Sequence, residues 1–510
     1  MKIATGEKPI RDIDVVVIGS GIGGASFAAG LAPSGARILI LERGGRLLDS
    51  PETRDAAAIF QRNYFRTKEV WRNGQGEAFS PGNFYYVGGN SKMYGAVLMR
   101  YRAQDFGPRQ FAEGQTPGWP FGYDELESWY GQAEALYQVR GALGQDPTEP
   151  EHSTPYAYPP TPDEPAIAQL RLRLAGQDLT PFSLPLGVDL ARWLARGQTG
   201  WDGHPNADCG KMDAETCALA NALRHVNVSL DTGARVTRLE TDATGRRIVS
   251  LVYEQGGQTL RLAPKLVVLA AGAINSALLL LASANGAMPD GLANRSGQVG
   301  RNFMKHNGSA MMAIAPGPPN GLVYQKTIGF NDFYLDDGRD GPGLGNVQML
   351  GKITSAILKS RLRYAPEALL SPLTRRSFDF YLMSEDLPFF DNRVFYDGAA
   401  VVLDRPVSSM DAQRRLIARM RQVLRAAGFP LVLWQLFDQQ TISHQCGTLR
   451  MGLDPARAVV DAHGRAYDHD NLIVADASVL PTSAAVNPAL TVAALALRAA
   501  DYVRRERLAG

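Results

Sequence analysis

Cysteine is scarce in this sequence, which bears on the compartment in which the protein works. The 510 residues include three cysteines, Cys209, Cys217 and Cys446, which cannot all pair within one chain. Their spacing matches no zinc module. We therefore predict a reducing, cytoplasmic location and no metal site. A single bridge between Cys209 and Cys217 is left open.

A charge excess of either sign and long hydrophobic runs are also missing. The 53 basic side chains face 51 acidic ones, with no basic run and no acidic tail. This balance excludes nucleic acid as a partner, because binding it requires a concentrated positive surface. The longest apolar stretch, residues 266–282, is shorter than the roughly 20 residues that span a membrane. The first 14 residues are mostly polar, so we predict neither a signal peptide nor a membrane span.

The sequence does contain, at its start, the order of elements typical of dinucleotide-binding units. Residues 15–18 are all β-branched, as expected for a strand buried on both faces of a parallel sheet, and residues 25–31 predict a helix. Glu42 ends a second apolar run, residues 38–41, where an acid would bind a ribose hydroxyl. Three glycines permit a tight turn, close approach to a pyrophosphate and close helix packing: Gly19, Gly21 and Gly24. This pattern does not separate FAD from NAD.

Later strand signals predict that this first unit is interrupted and then resumed. Residues 226–230 and 236–239 are typical of strands, and residues 265–270 predict another buried strand followed by a helix from Asn275. An earlier loop, Gly88-Gly89-Asn90-Ser91, would let backbone N–H groups approach a ligand closely. The nucleotide-binding unit is therefore discontinuous in sequence.

The segments between these signals predict a second unit. Residues 107–200 are rich in turns and proline, as in an elaboration outside the sheet. Residues 378–383 and 393–403 predict strands, and residues 411–427 an amphipathic helix. Together they indicate a unit that contains an antiparallel sheet.

The carboxyl-terminal part contains three further motifs. His444 lies in the segment at residues 443–452, an Asp-Ala-Ser segment begins at Asp476, and Asn487-Pro488 opens the last helical run. With residues 88–91, 272–283 and 299–306, these motifs resemble the glucose-methanol-choline (GMC) oxidoreductase family over nearly the whole chain. The resemblance is closest to the sugar-oxidising branches, which are pyranose and C-glycoside oxidases and the FAD-linked dehydrogenases of aminoglycoside biosynthesis.

The resemblance implies an α/β fold, in which a Rossmann-like FAD-binding domain is interleaved with an α+β substrate domain built on an antiparallel sheet. It also implies noncovalent FAD, because residues 91–94 lack the histidine to which covalent members attach the flavin. The second family signature is imperfect, with Ser276-Ala277 in place of Ser or Thr before proline. The implied segments are 1–105 (FAD-binding), 106–200 (substrate and cap elements), 201–308 (FAD-binding), 309–440 (substrate) and 441–510 (FAD-binding with the catalytic motif).

The resemblance also implies roles for individual residues. His444 would take the hydroxyl proton while flavin N5 accepts the hydride, and Asn487 would hold the substrate oxygen. His306 is expected to pack beside the cofactor. The expected cofactor contacts are Gly19, Gly21, Gly24, Glu42, Gly88, Gly89, Asn90, Ser91, Val236, Asp476, Pro488 and Ala489. The candidate substrate contacts are Glu385, Asp386, Trp434 and Gln435.

The predicted function is oxidation of a hydroxyl group of a sugar, glycoside or aminosugar to a carbonyl, with oxygen or a carrier reoxidising the flavin. A non-catalytic flavin-binding scaffold is one alternative, since a fold does not dictate a function. A GMC enzyme for non-sugar alcohols is another. An NAD-dependent dehydrogenase would explain the glycine turn but not the motifs around His444 and Asn487.

Overall fold

The computed structural model describes residues 13–195, 197, 200–338, 341–438 and 444–506. The helices in these residues are α1 (Ile22–Leu31), α2 (Ala56–Phe60), α3 (Asp124–Leu136), α4 (Pro165–Ala175), α5 (Leu190–Ala195), α6 (Ala220–Ala222), α7 (Ala273–Ala282), α8 (Ser355–Lys359), α9 (Glu367–Thr374), α10 (Asp411–Ala426) and α11 (Ala489–Glu506). The strands are β1 (Val15–Ile18), β2 (Ile38–Glu42), β3 (Trp71–Asn73), β4 (Ala78–Phe79), β5 (Gln110–Phe111), β6 (Gly114–Gln115), β7 (Phe182–Ser183), β8 (Val228–Thr232), β9 (Arg235–Thr241), β10 (Ile248–Gln255), β11 (Gln258–Leu262), β12 (Leu266–Leu269), β13 (Asn307–Ile314), β14 (Ile328–Phe330), β15 (Asn346–Met349), β16 (Ser377–Ser384), β17 (Arg393–Asp397), β18 (Ala400–Asp404), β19 (Leu431–Leu436) and β20 (Leu472–Val474).

A parallel sheet of five strands, ordered β20-β12-β1-β2-β8, carries the glycine turn at the end of β1. Each neighbouring pair in it is parallel. The side chains of β1, β2 and β12 are buried on both faces, as their uninterrupted apolar sequences predict. Its strands come from widely separated parts of the chain, so the Rossmann-like, interleaved fold class is confirmed.

The strand predicted at residues 236–239 lies outside this parallel sheet. It is part of β9, which pairs antiparallel with β10 in a three-stranded sheet ordered β11-β10-β9. β8 is the last strand of the parallel sheet, and the chain turns away after it at Gly233, whose φ is +64°. Glycine adopts this left-handed conformation without the steric cost that a side chain adds.

A second, six-stranded sheet, ordered β19-β13-β16-β15-β14-β7, is antiparallel throughout. Alternation along its strands separates two environments, because successive side chains point to opposite faces. Met311 and Phe380 belong to the hydrophobic core that includes residues of α10. Their neighbours Met312 and Tyr381 line a large cavity on the opposite face. The predicted helix at 411–427 is α10, and it covers the face of the sheet away from the cavity.

The strand predicted at residues 393–403 is two strands. β17 and β18 form a hairpin whose turn includes Gly398, with a φ of +56°. This hairpin belongs to a separate sheet ordered β17-β18-β3-β4, not to the six-stranded one. The Asp397-Gly398 step between two apolar segments was the available signal for the turn.

The cysteines and the longest apolar stretch have simple structural explanations. All three cysteines are free, so the bridge left open between Cys209 and Cys217 is absent. Residues 266–282 contain β12 and α7, which belong to the parallel sheet and to the helix that follows it. Among the described residues, no helix has the length and apolar character needed to cross a membrane.

Candidate active site

A single cavity of 1470 Å³ extends from the glycine turn of the parallel sheet to the face of the antiparallel sheet. We divide its wall into two parts. The nucleotide compartment is lined by Gly19, Gly21, Glu42, Gly89, Val236 and Asp476. The substrate compartment is lined by Trp201, Asp202, Lys326, Lys352, Tyr381 and Trp434. His444 and Asn487 also line the cavity, and we place them between the two parts because Asn487 lies beside Pro488 and Ala489 of the wall and is bonded to Gln348 of the antiparallel sheet.

The glycines of the turn have different tasks. At Gly19, whose φ is +105°, a Cβ would lie 2.3 Å from the carbonyl oxygen of Ala270, and at Gly24 it would lie 2.1 Å from that of Gly19. At Gly21 a Cβ would meet no protein atom within 4 Å. Gly19 and Gly24 therefore allow the backbone to pack, whereas Gly21 leaves open space beside the cavity. That open space fits the approach of a pyrophosphate.

One further glycine of the turn was not assigned a task from the sequence. A Cβ at Gly23 would lie 1.8 Å from the carbonyl oxygen of Ala475, which precedes the Asp476 segment. Gly23 therefore lets α1 pack against the carboxyl-terminal part of the chain. The contact joins residues far apart in sequence, so the spacing of the glycines did not indicate it.

Glu42 ties the turn to its surroundings at the end of β2. Its Oε2 accepts hydrogen bonds from the backbone N–H of Ser20 at 3.0 Å and from the Ser20 hydroxyl at 2.7 Å. Its Oε1 accepts one from the N–H of Gly44 at 2.8 Å. Burial raises the pKa of Glu42, and these donors oppose that rise. Oε2 thus has donors for both of its lone pairs, whereas Oε1 retains one with which it can accept a ribose hydroxyl.

The loop that begins at Gly88 is fastened to the same turn. The N–H of Gly88 donates to the hydroxyl of Ser20 at 3.1 Å, and the hydroxyl of Ser91 donates to the Gly88 carbonyl at 2.6 Å. Lys92 is turned towards acids and forms ion pairs with Asp213 at 2.9 Å and Glu215 at 2.8 Å. The loop therefore presents its backbone, with Gly89, Asn90, Ser91 and Met93, to the cavity.

Asp476 is enclosed by donors from the chain itself. Its Oδ2 accepts from the N–H of Gly272 at 2.9 Å and from the hydroxyl of Ser276 at 2.6 Å, and its Oδ1 accepts from the N–H and hydroxyl of Ser478. Burial raises its pKa. The carboxylate thus joins the start of α7 to the carboxyl-terminal segment, and a Cβ on the neighbouring Gly272 would meet no protein atom within 4 Å.

Most of the residues expected at the cofactor do line the cavity. Ten of the twelve are found there: Gly19, Gly21, Glu42, Gly89, Asn90, Ser91, Val236, Asp476, Pro488 and Ala489. Gly24 and Gly88 are not part of the wall and support it from behind. The open space at Gly21 and Gly272 and the acid at Glu42 together fit an adenine dinucleotide.

The two predicted catalytic residues meet in the cavity wall. The side-chain nitrogen Nδ2 of Asn487 lies 3.4 Å from Nε2 of His444. Gln348 of β15, which sequence reasoning missed, donates from Nε2 to Oδ1 of Asn487 at 3.2 Å and so sets the orientation of its amide. His444 has a φ of +58°, a strained conformation for a residue with a side chain and one that clusters at functional sites.

His306, which the resemblance places beside the cofactor, is in contact with the predicted base. Its Nδ1 lies 2.7 Å from Nδ1 of His444, a contact that the sequence did not indicate. Its Nε2 lies 2.9 Å from the carbonyl oxygen of Ser483. A carbonyl only accepts, so in neutral His306 the proton is on Nε2 and Nδ1 is an acceptor. His444 must then donate from Nδ1, which leaves its Nε2 unprotonated beside Asn487.

Both histidines are held in the neutral state. Burial lowers the pKa of His306 to about 4. Burial, the adjacent His306 and the cation of Lys326 hold the pKa of His444 well below its ordinary value. At neutral pH, His444 is therefore an uncharged imidazole whose free lone pair is on Nε2.

Two of the four candidate substrate residues line the cavity and two do not. Trp434 and Gln435 of β19 line the cavity. Glu385 and Asp386 do not, which corrects the expectation that they contact a substrate. Asp386 is paired with Arg405 at 2.7 Å. Glu385 accepts from the N–H of Ala484 at 3.1 Å, and burial raises its pKa to about 8. Both carboxyls lie at the end of a fully buried strand, which the sequence did not distinguish from a solvated loop.

Comparison with known proteins agrees with this arrangement. Residues 195–308 and 401–496 match family models described as GMC oxidoreductase, and residues 17–58 match an NAD(P)-binding Rossmann-like domain. The chain is 32% identical to 6'''-hydroxyparomomycin C oxidase of Streptomyces lividus, over 95% of this chain and 90% of the relative. It is 28% identical to the fructose dehydrogenase large subunit of Gluconobacter japonicus, over 96% of this chain and 95% of the relative.

A solved structure shows the same fold at lower identity. Pyridoxine 4-oxidase from Mesorbium loti superposes with a TM-score of 0.67 at 20% identity, and the match covers 96% of this chain and 99% of that one. The fold and the cavity define an oxidoreductase built around a dinucleotide-binding domain. The chain belongs to the GMC oxidoreductase family, a flavin-dependent family whose members oxidise CH–OH groups.

Proposed function

We propose that this protein binds FAD noncovalently and oxidises a hydroxyl group of a sugar, glycoside or aminosugar to a carbonyl. The contact that carries the proposal is the one between Asn487 and Nε2 of His444, because it places a hydrogen-bond donor and a free base side by side in the cavity. The family and the names of the two relatives favour a carbohydrate over a simple alcohol. The absence of a histidine at residues 91–94 favours noncovalent attachment.

In this reaction the substrate hydroxyl lies between the two side chains. Nδ2 of Asn487 donates to the substrate oxygen, and Nε2 of His444 takes the hydroxyl proton as the carbon–hydrogen bond breaks. A flavin held by the nucleotide compartment would supply the hydride acceptor for this reaction. The alcohol thereby loses a proton and a hydride, two electrons in all, and becomes a carbonyl. Oxygen or another carrier then removes those two electrons from the enzyme.

His306 acts as a positioning residue for this base. By accepting from Nδ1 of His444, it selects the tautomer whose free lone pair is on Nε2. After proton transfer, the positive charge on His444 stays next to an uncharged ring. Gln348 has the corresponding role for Asn487, because it fixes which end of the amide faces the substrate.

Spectroscopy of the purified protein tests the proposal. We expect a yellow protein that releases its flavin on acid precipitation and whose flavin is bleached anaerobically by hexoses, a C-glycoside or an aminoglycoside precursor. Flavin retained in the pellet would contradict noncovalent binding. Bleaching only by choline or short alcohols would favour a GMC enzyme for non-sugar alcohols. A flavin that no hydroxyl compound reduces would leave the non-catalytic scaffold as the function.

A further inference from the structure

Positively charged side chains outnumber negatively charged ones in the wall of the substrate compartment. Among the described residues that line it, four are cations, Lys326, Lys352, Arg66 and Arg361, and one is a carboxylate, Asp202. The acids Glu42, Glu69 and Asp476 line the nucleotide compartment instead. A substrate that enters this compartment therefore meets one acid of the wall, and the state of that acid determines which charges the site accepts.

Asp202 already has partners for both of its oxygens. Oδ1 contacts Nζ of Lys326, and Oδ2 accepts from the N–H of Gly351 at 2.6 Å. Lys326 is only 1% exposed, so its ammonium has little water to replace the carboxylate. An ammonium group of a substrate that approached Asp202 would therefore meet a carboxylate whose charge Lys326 already neutralises, and it would be repelled by the ammonium of Lys326 at short range.

The acids behind the wall are engaged in the same way. Asp379 lies 3.7 Å from Nζ of Lys352 and accepts from the N–H of Ile353 at 2.9 Å. Asp438 lies 2.6 Å from the guanidinium of Arg361. Each of these carboxylates therefore lies against a cation of the protein itself, although Oδ1 of Asp379 accepts no hydrogen bond from the described residues. Among the described residues of the wall, the one carboxylate of the substrate compartment, Asp202, is paired with a lysine.

Aromatic side chains provide the remaining recognition surface. The rings of Tyr381 and Phe437 lie 5.4 Å apart, and Tyr381 is also 6.4 Å from the ring of His444. Trp434, at 45% exposure, extends this surface along β19 towards solvent. Such rings pack against the apolar face of a sugar without requiring charge on it.

We propose that the substrate compartment selects an uncharged hydroxylated ring and disfavours a ring that bears an ammonium group. Lys326 is the specificity-determining residue, because its ion pair with Asp202 neutralises the one carboxylate of the described wall. This inference rests on the proposed function and narrows its substrate class. It separates sugars and glycosides, which the compartment can accept, from aminosugars, which find in the described part of its wall only a carboxylate that Lys326 already neutralises.

A matched pair of substrates tests the inference on the wild-type holoenzyme. The pair is a methyl hexoside that bleaches the flavin and its amino-deoxy analogue, in which one hydroxyl away from the oxidised carbon is replaced by an ammonium group. We expect the uncharged member to have a kcat/KM at least about 10-fold higher, because an ammonium group brought next to the cations of this wall is repelled. Equal or faster reduction by the ammonium member would overturn the inference.

Variants at the ion pair test the assigned residue. Lys326→Met keeps the length of the side chain and frees Asp202, so the efficiency ratio of the ammonium member to the uncharged member should rise about 10-fold. The double variant with Asp202→Asn should abolish that rise. Lys265→Met, which removes an exposed lysine outside the cavity, is the matched control and should leave the ratio unchanged.

The result at Lys326 is interpretable whether or not the variant folds well. Flavin content and thermal unfolding establish whether the variant is intact, and an intact variant with an unchanged ratio would show that Lys326 does not determine specificity. If the variant does not fold, the wild-type ratio still decides the substrate class. Reduction by the ammonium member alone would refute only this inference, whereas no reduction by any hydroxyl compound would refute the proposed function.

Discussion

The two compartments of the cavity are built in different ways. The nucleotide compartment is shaped mainly by backbone, with glycines that leave space or allow close packing within a few consecutive residues. The substrate compartment and the residues at its border are shaped by side chains from distant segments of the chain, as His306, Gln348, His444 and Asn487 show. A binding site made of backbone can therefore be recognised from a short stretch of sequence. A site made of side chains that contact one another across the molecule depends on the whole fold.

The largest expected effect separates two glycines of the same turn. Gly19→Ala places a methyl group 2.3 Å from a carbonyl oxygen in a left-handed conformation, and we expect a loss of at least about 3 kcal/mol in the free energy of unfolding. Gly21→Ala should change it by less than about 0.5 kcal/mol but lower the flavin content. Thermal unfolding of flavin-free protein and absorbance of the holoprotein measure both. Equal destabilisation of the two variants would show that Gly19 and Gly21 do not have different tasks.

The next largest effect is expected on the rate of flavin reduction, in variants that still bind the flavin. His444→Ala should retain flavin but slow its reduction by at least about 100-fold, the usual contribution of a positioned base. Asn487→Ala should impair the same half-reaction, because the donor to the substrate oxygen is removed. Anaerobic stopped-flow absorbance measures the rate with a substrate that reduces the wild type. Reduction of either variant at the wild-type rate would show that its assigned role is wrong.

A smaller effect is expected at the positioning residue. His306→Phe keeps a ring beside His444 but removes the acceptor for its Nδ1, so a part of the molecules adopts the wrong tautomer and reduction should slow about 10-fold. Because His306 also lowers the pKa of His444, the acidic limb of the rate profile should move to higher pH. A purely structural role would not move it. His469→Phe, which alters a buried histidine outside the cavity, is the control.

The smallest catalytic effect is expected at Glu385, which the structure removes from the substrate compartment. Its pKa is raised to about 8, so between the ordinary value of 4.5 and 8 the unfolded chain has released a proton that the folded protein keeps. Stability therefore falls as pH rises through this window. Glu385→Gln should stabilise the protein more at pH 8 than at pH 5 and leave substrate selectivity unchanged. If Glu385→Gln lowered the activity towards one substrate much more than towards another, Glu385 would have to be a substrate contact.

The sequence predicted four of the five strands of the parallel sheet, β1, β2, β8 and β12, because each of these is signalled locally. β1 and β12 are uninterrupted apolar runs, and the glycine turn follows β1 directly. The hairpin at β17 and β18 and the antiparallel pairing of β9 were missed, because strand signals do not state which sheet a strand joins. In the same way, Glu385 and Asp386 looked like acids of a loop until tertiary packing buried them.

The amino-acid sequence alone predicted a dinucleotide cradle, because that motif depends on residue type and short spacing, and its resemblance to the GMC family indicated His444 and Asn487 as the residues for alcohol oxidation. Only the tertiary structure brought His306 to His444, Gln348 to Asn487 and Lys326 to Asp202. The physical reason is the large separation of these partners along the sequence. A hydrogen bond or an ion pair depends on ångström distances between residues more than a hundred positions apart, and only the packed sheets fix those distances.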